Sequence, residues 1–512
     1  MRPLAFDPES IELPSGHFIN GALRDTSEER IEVLRPSDAK KLGSIPDATE
    51  ATVDEAVANS LDAWRSSGWG RAPPRTRGKV LRRWADLIDR DVGQLAQLEA
   101  VGSTRPVARA YAEDVPFTAE AIRFFGELAD KLGGEVASTR SASLGFVASE
   151  PYGVVAAIAP WNFPLSMCSW KCGPALAAGN AVVFKPSELT PFSTLRLAQL
   201  AIEAGIPPGI FNVVNGRGNR AGSSLVRHPQ IGKVSFTGST RSGARVMADA
   251  ALTGTKPVTL ELGGKSPQLV FENVPDLRHV ARCIVRGFTS NAGQSCVAGS
   301  RLIAHRNIVE PLLGAMRPML ADLRPDPTWH GSMSFEPIIS RPQSARIQLL
   351  ITQSRDAGAE IETGGDPFDE MDGCFFRPTL IRQVTSSMPV IREEIFGPVL
   401  TVQTFETEEE GLHLAGHPTY GLAAGVHTSD VGQALRAMRA IAAGTIWINR
   451  YSRSADMIIP TGGFQQSGIG KDLGAQAVHG CLRYKSVLVD FDSCLDSDES
   501  GVPAGGRGKG KS

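Results

Sequence analysis

Between residues 153 and 250, short apolar runs alternate with longer mixed stretches, and this alternation limits the folds open to the chain more than any other feature. GVVAAIAP leads to a helix through WKCGPALAAG, NAVVFKPS to a helix over 191–204, IFNVVNG to a helix over 219–227, and KVSFTGST to a helix from Ser242. Short apolar runs separated by helices are the signature of parallel βαβ units, so the expectation is a doubly wound α/β sheet. Ligands of such sheets sit past the carboxyl ends of the strands, where PWNF, KPSE, NGRG and FTGSTRSG fall. A second alternating region, from 263 to about 460, reads as another α/β domain.

The flanks carry other patterns. Turn residues Gly16 and Asn20-Gly21 predict an edge hairpin within 1–50, and apolar steps of three and four residues predict helices over 52–98, broken at 68–74. A further helix is expected over 115–132, then a protruding hairpin over 134–152 and a late strand over 481–491. The polar, Gly-rich tail at 492–512 is expected to be disordered.

A chain of 512 residues exceeds what one hydrophobic core serves. With 42% hydrophobic residues, 21% charged residues and a net charge of -2, nothing biases it toward nucleic acid or an anionic membrane, and the expected partner is a small molecule. No apolar run approaches the roughly 18 residues of a membrane span. The N-terminal stretch lacks a signal-peptide core. Seven scattered cysteines show neither zinc spacing nor a disulfide framework, which fits a reducing cytoplasm. Nine histidines form no ligand pattern, so no catalytic metal is expected.

Chemistry concentrates in a few motifs. In NAGQSCVAGSRLI, Cys296 stands among small and polar residues that let backbone approach a substrate. Upstream, VTLELGGKSPQLVF puts Glu261 at the end of a β-prone run, before a Gly pair and Lys265. A thiol, a carboxylate and a phosphate cradle together suggest redox chemistry through a covalent adduct. In FTGSTRSG, Gly238 permits a tight turn and Ser239 lies near a helix start whose free N–H groups suit a pyrophosphate. Lys185 and Glu188 of KPSE suit ribose hydroxyls, and a carboxylate there repels a 2'-phosphate, which favours NAD, with NADP possible. Asn162, fixed between Trp161 and Phe163, is a candidate oxyanion donor. Glu394 and Phe396 of EEIFGPV suit a nicotinamide ribose and ring, and Asp456 hints at tolerance of an amino group on the substrate.

APWNFP, WKCGPALAAGN, KPSE, FTGSTRSG, ELGGKSP, GQSC, EEIFGPV and PTGGFQQSGIG occur together and in this order. In this the chain closely resembles the NAD(P)-dependent aldehyde dehydrogenase superfamily over about residues 15–490. The resemblance implies a Rossmann-like cofactor domain (1–133 and 153–262), a second α/β catalytic domain (263–479), and a small bridging β oligomerisation element (134–152 and 480–491). It implies a homodimer or homotetramer oxidising an aldehyde substrate to an acid. Cys296 is then the nucleophile, as thiolate, Glu261 the base, Asn162 with the Cys296 N–H the oxyanion donors, and Lys171 part of a proton relay. Ala159, Pro160, Trp161, Lys185, Ser187, Glu188, Gly218, Gly222, Phe236, Thr237, Gly238, Ser239, Gly243, Leu262, Glu394 and Phe396 would contact or line the cofactor site.

Departures from the family pattern are Thr461 where Phe is frequent, Lys471-Asp472 where Arg-Glu is frequent, and Glu336-Pro337-Ile338-Ile339 in place of GPLI beside Gln343. Two other readings use the same thiol: a CoA-acylating aldehyde dehydrogenase, against which Glu261 argues, and a redox-independent thiol esterase, against which the phosphate-binding motifs argue. A non-catalytic descendant of the fold would show eroded motifs.

Overall fold

The computed structural model describes residues 4–27, 29–331 and 335–491. The tail at 492–512, expected to be disordered, lies outside the described residues.

The apolar runs from 153 onward form one eight-stranded sheet in the order Ala22–Arg24, His17–Ile19, Phe211–Val213, Ala181–Lys185, Val154–Ile158, Lys233–Thr237, Val258–Glu261, Gly468–Ile469. Its five central strands run parallel. Val154–Ile158, Ala181–Lys185 and Lys233–Thr237 are buried along their whole length, because helices cover both faces. From Val154–Ile158 the chain first builds outward to one side and then returns to build the other, beginning with Lys233–Thr237. The crevice past the ends of these two strands is the topological switch point, where doubly wound sheets bind ligands.

A second, seven-stranded sheet holds Pro267–Val270 at its own switch, between Arg301–His305 and Ala423–His427. Antiparallel Ser143–Pro151 and Leu482–Asp490, with Val136–Ala137, make a separate three-stranded sheet. The N-terminal hairpin turns at Asn20 and Gly21, both at positive φ, as its sequence predicts.

Three boundaries differ from the sequence reading. The helix expected over 115–132 ends at Leu128. The helix expected from Ser242 begins at Thr240, because the Ser239 side chain accepts the Ser242 N–H and caps it. The segment expected to stay with the second sheet up to 479 instead returns to the first: Gly468–Ile469 pairs antiparallel with Leu260 and Glu261, and Met457, Leu473 and Val478 join the first core. This return brings the Gly-rich loop onto the end of the strand that carries Glu261.

Candidate active site

Val258–Glu261 ends at the carboxylate, and the Gly263-Gly264 pair decides what can reach it. A Cβ on Gly263 would lie 2.4 Å from a Glu394 carboxylate oxygen, and one on Gly264 would lie 2.3 Å from the Cys296 carbonyl. Only bare backbone admits both neighbours, so one dipeptide draws Glu394 and Cys296 to the strand end. The Gly264 N–H donates to Glu394 Oε1 at 2.9 Å. From the Gly-rich loop, Gly462 (φ +152°) packs on Glu261, where a Cβ would lie 2.7 Å from Oε1.

The approach to Cys296 is a left-handed turn: Asn291, Ala292 and Gly293 all have positive φ. Buried amides hold it. Asn291 Nδ2 donates to the carbonyls of Asn162 (3.1 Å) and Gln294 (3.2 Å), and its Oδ1 accepts from Thr104 at 2.6 Å. Gln294 Nε2 donates to the Asn291 and Pro337 carbonyls, both at 2.9 Å, and its Oε1 accepts the Ile339 N–H at 2.8 Å. The departure at 336–339 therefore braces the nucleophile loop. Tyr451 adds a third prop, its hydroxyl donating to the Val297 carbonyl at 2.8 Å.

Cys296 is half-buried. Burial pushes the thiol up to about 11; Arg453 opposes the rise, while Glu394 and Glu261 add to it. Burial likewise lifts Glu261 to about 8, with the Asp472 charge adding and Lys171 opposing. Glu261 Oε1 has no hydrogen-bond partner, which leaves it open to a proton or a water. Asn162 spends one amide hydrogen on the Gln294 carbonyl at 3.0 Å, and the other remains for an oxyanion. Lys171 is fully buried and paired with Asp472 at 2.8 Å, behind Glu261.

The expected cofactor residues surround the switch point. Ala159, Pro160 and Trp161 follow Val154–Ile158; Phe236, Thr237, Gly238 and Ser239 end the neighbouring strand. Thr237 Oγ1 is buried without a partner. A Cβ on Gly243 would lie 2.3 Å from Leu262, so this glycine lets the capped helix close on the strand end. Lys185 Nζ bonds the Pro186 carbonyl at 2.7 Å and Glu188 at 3.2 Å, and the Gly222 backbone packs on its stem. Ser187 Oγ accepts the Leu189 N–H and fixes the turn between them. Gly218 faces open space. Across the cleft the Phe396 ring meets Trp161 edge-on at 5.3 Å, and Gln343 Nε2 holds the Ile395 and Phe396 carbonyls. Burial lifts Glu394 to about 7. These groups fit a dinucleotide: free helix N–H groups for phosphates, a lysine and carboxylate for a ribose, and aromatic edges for a ring.

Sequence reasoning missed Asn291 and Gln294, which could have been suspected as amides beside a Gly in a run too apolar to solvate them. Phe288 is fully buried in the core of the second sheet.

The model of the aldehyde dehydrogenase family matches residues 23–487. An aldehyde dehydrogenase of Aspergillus niger is 40% identical over 477 residues, covering 93% of this chain and 95% of that one. The NADP/NAD-dependent aldehyde dehydrogenase PuuC of Escherichia coli is 36% identical over 94% of this chain and 97% of its own. Among solved structures, an indole-3-acetaldehyde dehydrogenase of P. syringae in complex with NAD+ and IAA superposes with a TM-score of 0.92 at 37% identity, covering 94% of this chain and 98% of its own. The family match over nearly the whole described chain accords with a thiol and a carboxylate gathered at one glycine pair beside a dinucleotide crevice: this chain belongs to the aldehyde dehydrogenase family.

Proposed function

We propose that the chain oxidises an aldehyde to a carboxylic acid with NAD, using Cys296 as nucleophile, Glu261 as base and Asn162 as oxyanion donor. The observation that carries this reading is the glycine pair that brings Cys296 and Glu394 onto the strand ending in Glu261. Because the resting thiol sits near 11 and Glu261 near 8, Glu261 takes the thiol proton as sulfur adds to the carbonyl carbon. The new oxyanion is met by the spare Asn162 amide hydrogen and the Cys296 N–H, a contact of about 3 kcal/mol per donor. NAD, when bound at the switch point, supplies the hydride acceptor. Glu261 then gives the thiol's proton up to solvent, water attacks the thioester left on Cys296 as its proton passes to Glu261, and that proton goes on to the departing Cys296 sulfur as the acid leaves, so the thiol is ready for another cycle.

Lys171 acts through Asp472: their buried pair sets the field at Glu261 and serves as a positioning element. Ala159, Pro160, Trp161, Ser187, Gly218, Gly222, Phe236, Thr237, Gly238, Gly243 and Leu262 shape the cofactor cleft, while Lys185, Glu188, Ser239, Glu394 and Phe396 supply its contacts. Glu188 favours NAD, and Lys185 beside it leaves NADP admissible. Six free cysteines among the described residues fit a reducing cytoplasm. No helix of the described residues is long and apolar enough to cross a membrane. The three-stranded sheet is the proposed site of homodimer or homotetramer contact.

Pre-steady-state NADH formation tests the roles. Glu261→Gln should lose most of its steady-state rate, and any NADH it still forms quickly should stop at about one equivalent per site; full multiple turnover removes Glu261 from the mechanism. Cys296→Ala should form neither NADH nor acid, and retained oxidation refutes the covalent route.

A further inference from the structure

Two donors near the reacting thiol have nothing to bind. Arg453 Nη1 and Trp170 Nε1 are both buried without a hydrogen-bond partner, and they belong to stacked side chains: the Arg453 guanidinium lies 4.7 Å from the centre of the Trp170 ring. Among the described residues Arg453 forms no ion pair. Leaving a buried donor unsatisfied is costly, more so when it is charged, so two at one spot require an explanation.

Their location supplies one. Trp170 lies on the helix Pro164–Ala177, which starts just after Asn162, and Phe117 packs at 6.0 Å on its ring. Arg453 leaves the second sheet just after Tyr451, the residue that props the Cys296 loop. Its charge acts on both Cys296 and Glu261. Stacking on the indole fixes the guanidinium plane with little side-chain freedom left to lose. The fork and the indole N–H thus form a set made only of donors, carrying one positive charge, within electrostatic reach of Cys296 and Glu261.

We infer that Arg453 and Trp170 bind a carboxylate on the substrate, so that the aldehydes preferred by this chain are oxo acids. The inference rests on the aldehyde-oxidising reading above. A carboxylate offers two acceptor oxygens, enough for the guanidinium and the indole together, and its single charge matches the single cation. This reverses the hint from Asp456, which is exposed, toward an amino substrate. Arg453 is a specificity residue, and because its charge also reaches Cys296, its removal should slow every aldehyde to some degree.

The test therefore reads a ratio. With NAD, kcat/KM is measured for 4-oxobutanoate and 5-oxopentanoate against butanal and pentanal, in wild type, Arg453→Met and Arg453→Lys. The wild type should favour the oxo acids, and Arg453→Met should lower the oxo-acid to aldehyde ratio roughly 10- to 100-fold, largely through KM; Arg453→Lys should fall between. Glutarate should compete with pentanal in the wild type, and pentanamide should not, a readout independent of whether a variant folds. Oxidation of butanal with no oxo-acid preference, or a ratio unmoved in Arg453→Met, overturns the inference while leaving the oxidation reading intact. Oxidation of none of the four overturns both.

Discussion

At Cys296 and Glu261 burial raises a thiol and a carboxyl alike, and each gives up its proton only as pH rises. Below about 8 the Glu261 carboxyl holds its own proton and cannot take one from Cys296, so kcat/KM should climb as pH rises through about 8. Glu261→Gln should lose that inflection; a wild-type profile flat from pH 6 to 9 excludes the proton transfer. Stability should move the other way. Between the ordinary 4.5 and about 8 the folded chain keeps a proton at Glu261 that the unfolded chain releases. That contribution is complete below 4.5 and is lost as pH rises through 8, so urea midpoints should fall less steeply with pH in Glu261→Gln. Cys296, Glu261 and Asn162 were legible because each lies in a motif whose neighbours limit its use. Gln294 was not, since its partners Pro337 and Ile339 are distant in the chain.

Among the elements, the left-handed turn at 291–293 leads into Cys296 and is closely confined. Gly293 has φ +70°, and a Cβ there would lie 2.1 Å from the Gly397 carbonyl, next to Phe396. Gly293→Ala must therefore displace either the Cys296 loop or the segment that carries Glu394 and Phe396. The expected outcome is a loss of roughly 2 kcal/mol or more of stability together with at least a tenfold fall in kcat/KM, read by thermal unfolding and NADH production; unchanged values in both would show that the turn relaxes freely. Elements buried on two faces were the readable ones: Val154–Ile158 and Ala181–Lys185 are runs of five and four apolar residues bounded by turns and helices, the pattern of buried strands. Gly468–Ile469 was opaque, because two residues in a Gly-rich loop have no periodicity. Its return to the first sheet is decided by the long-range pairing with Leu260 and Glu261.

On the scale of the whole molecule, the three-stranded sheet is the part with least reason to stand alone. Leu482–Asp490 runs along its edge, with one side of its backbone unpaired, and carries Tyr484 and Leu488 outward, the latter 77% exposed. A nine-residue edge strand with exposed apolar side chains is a template for another strand unless something covers it. Ion pairs from Glu150 to Arg483 and Lys485 tie the strand to its one neighbour, which stiffens it without shielding it. A second copy of the chain, laid against the same edge about a two-fold axis, would pair the backbone of both and bury both apolar rows. The protein should accordingly behave as a dimer or tetramer at micromolar concentration in light scattering. Leu488→Asp should raise the dissociation constant of that assembly at least tenfold, because it places a carboxylate opposite its own image across the axis. The site lies in another sheet system, so kcat at saturating substrate should stay within about twofold of wild type. A wild type that scatters as single chains, or a Leu488→Asp assembly as tight as the parent, leaves this edge without the proposed role.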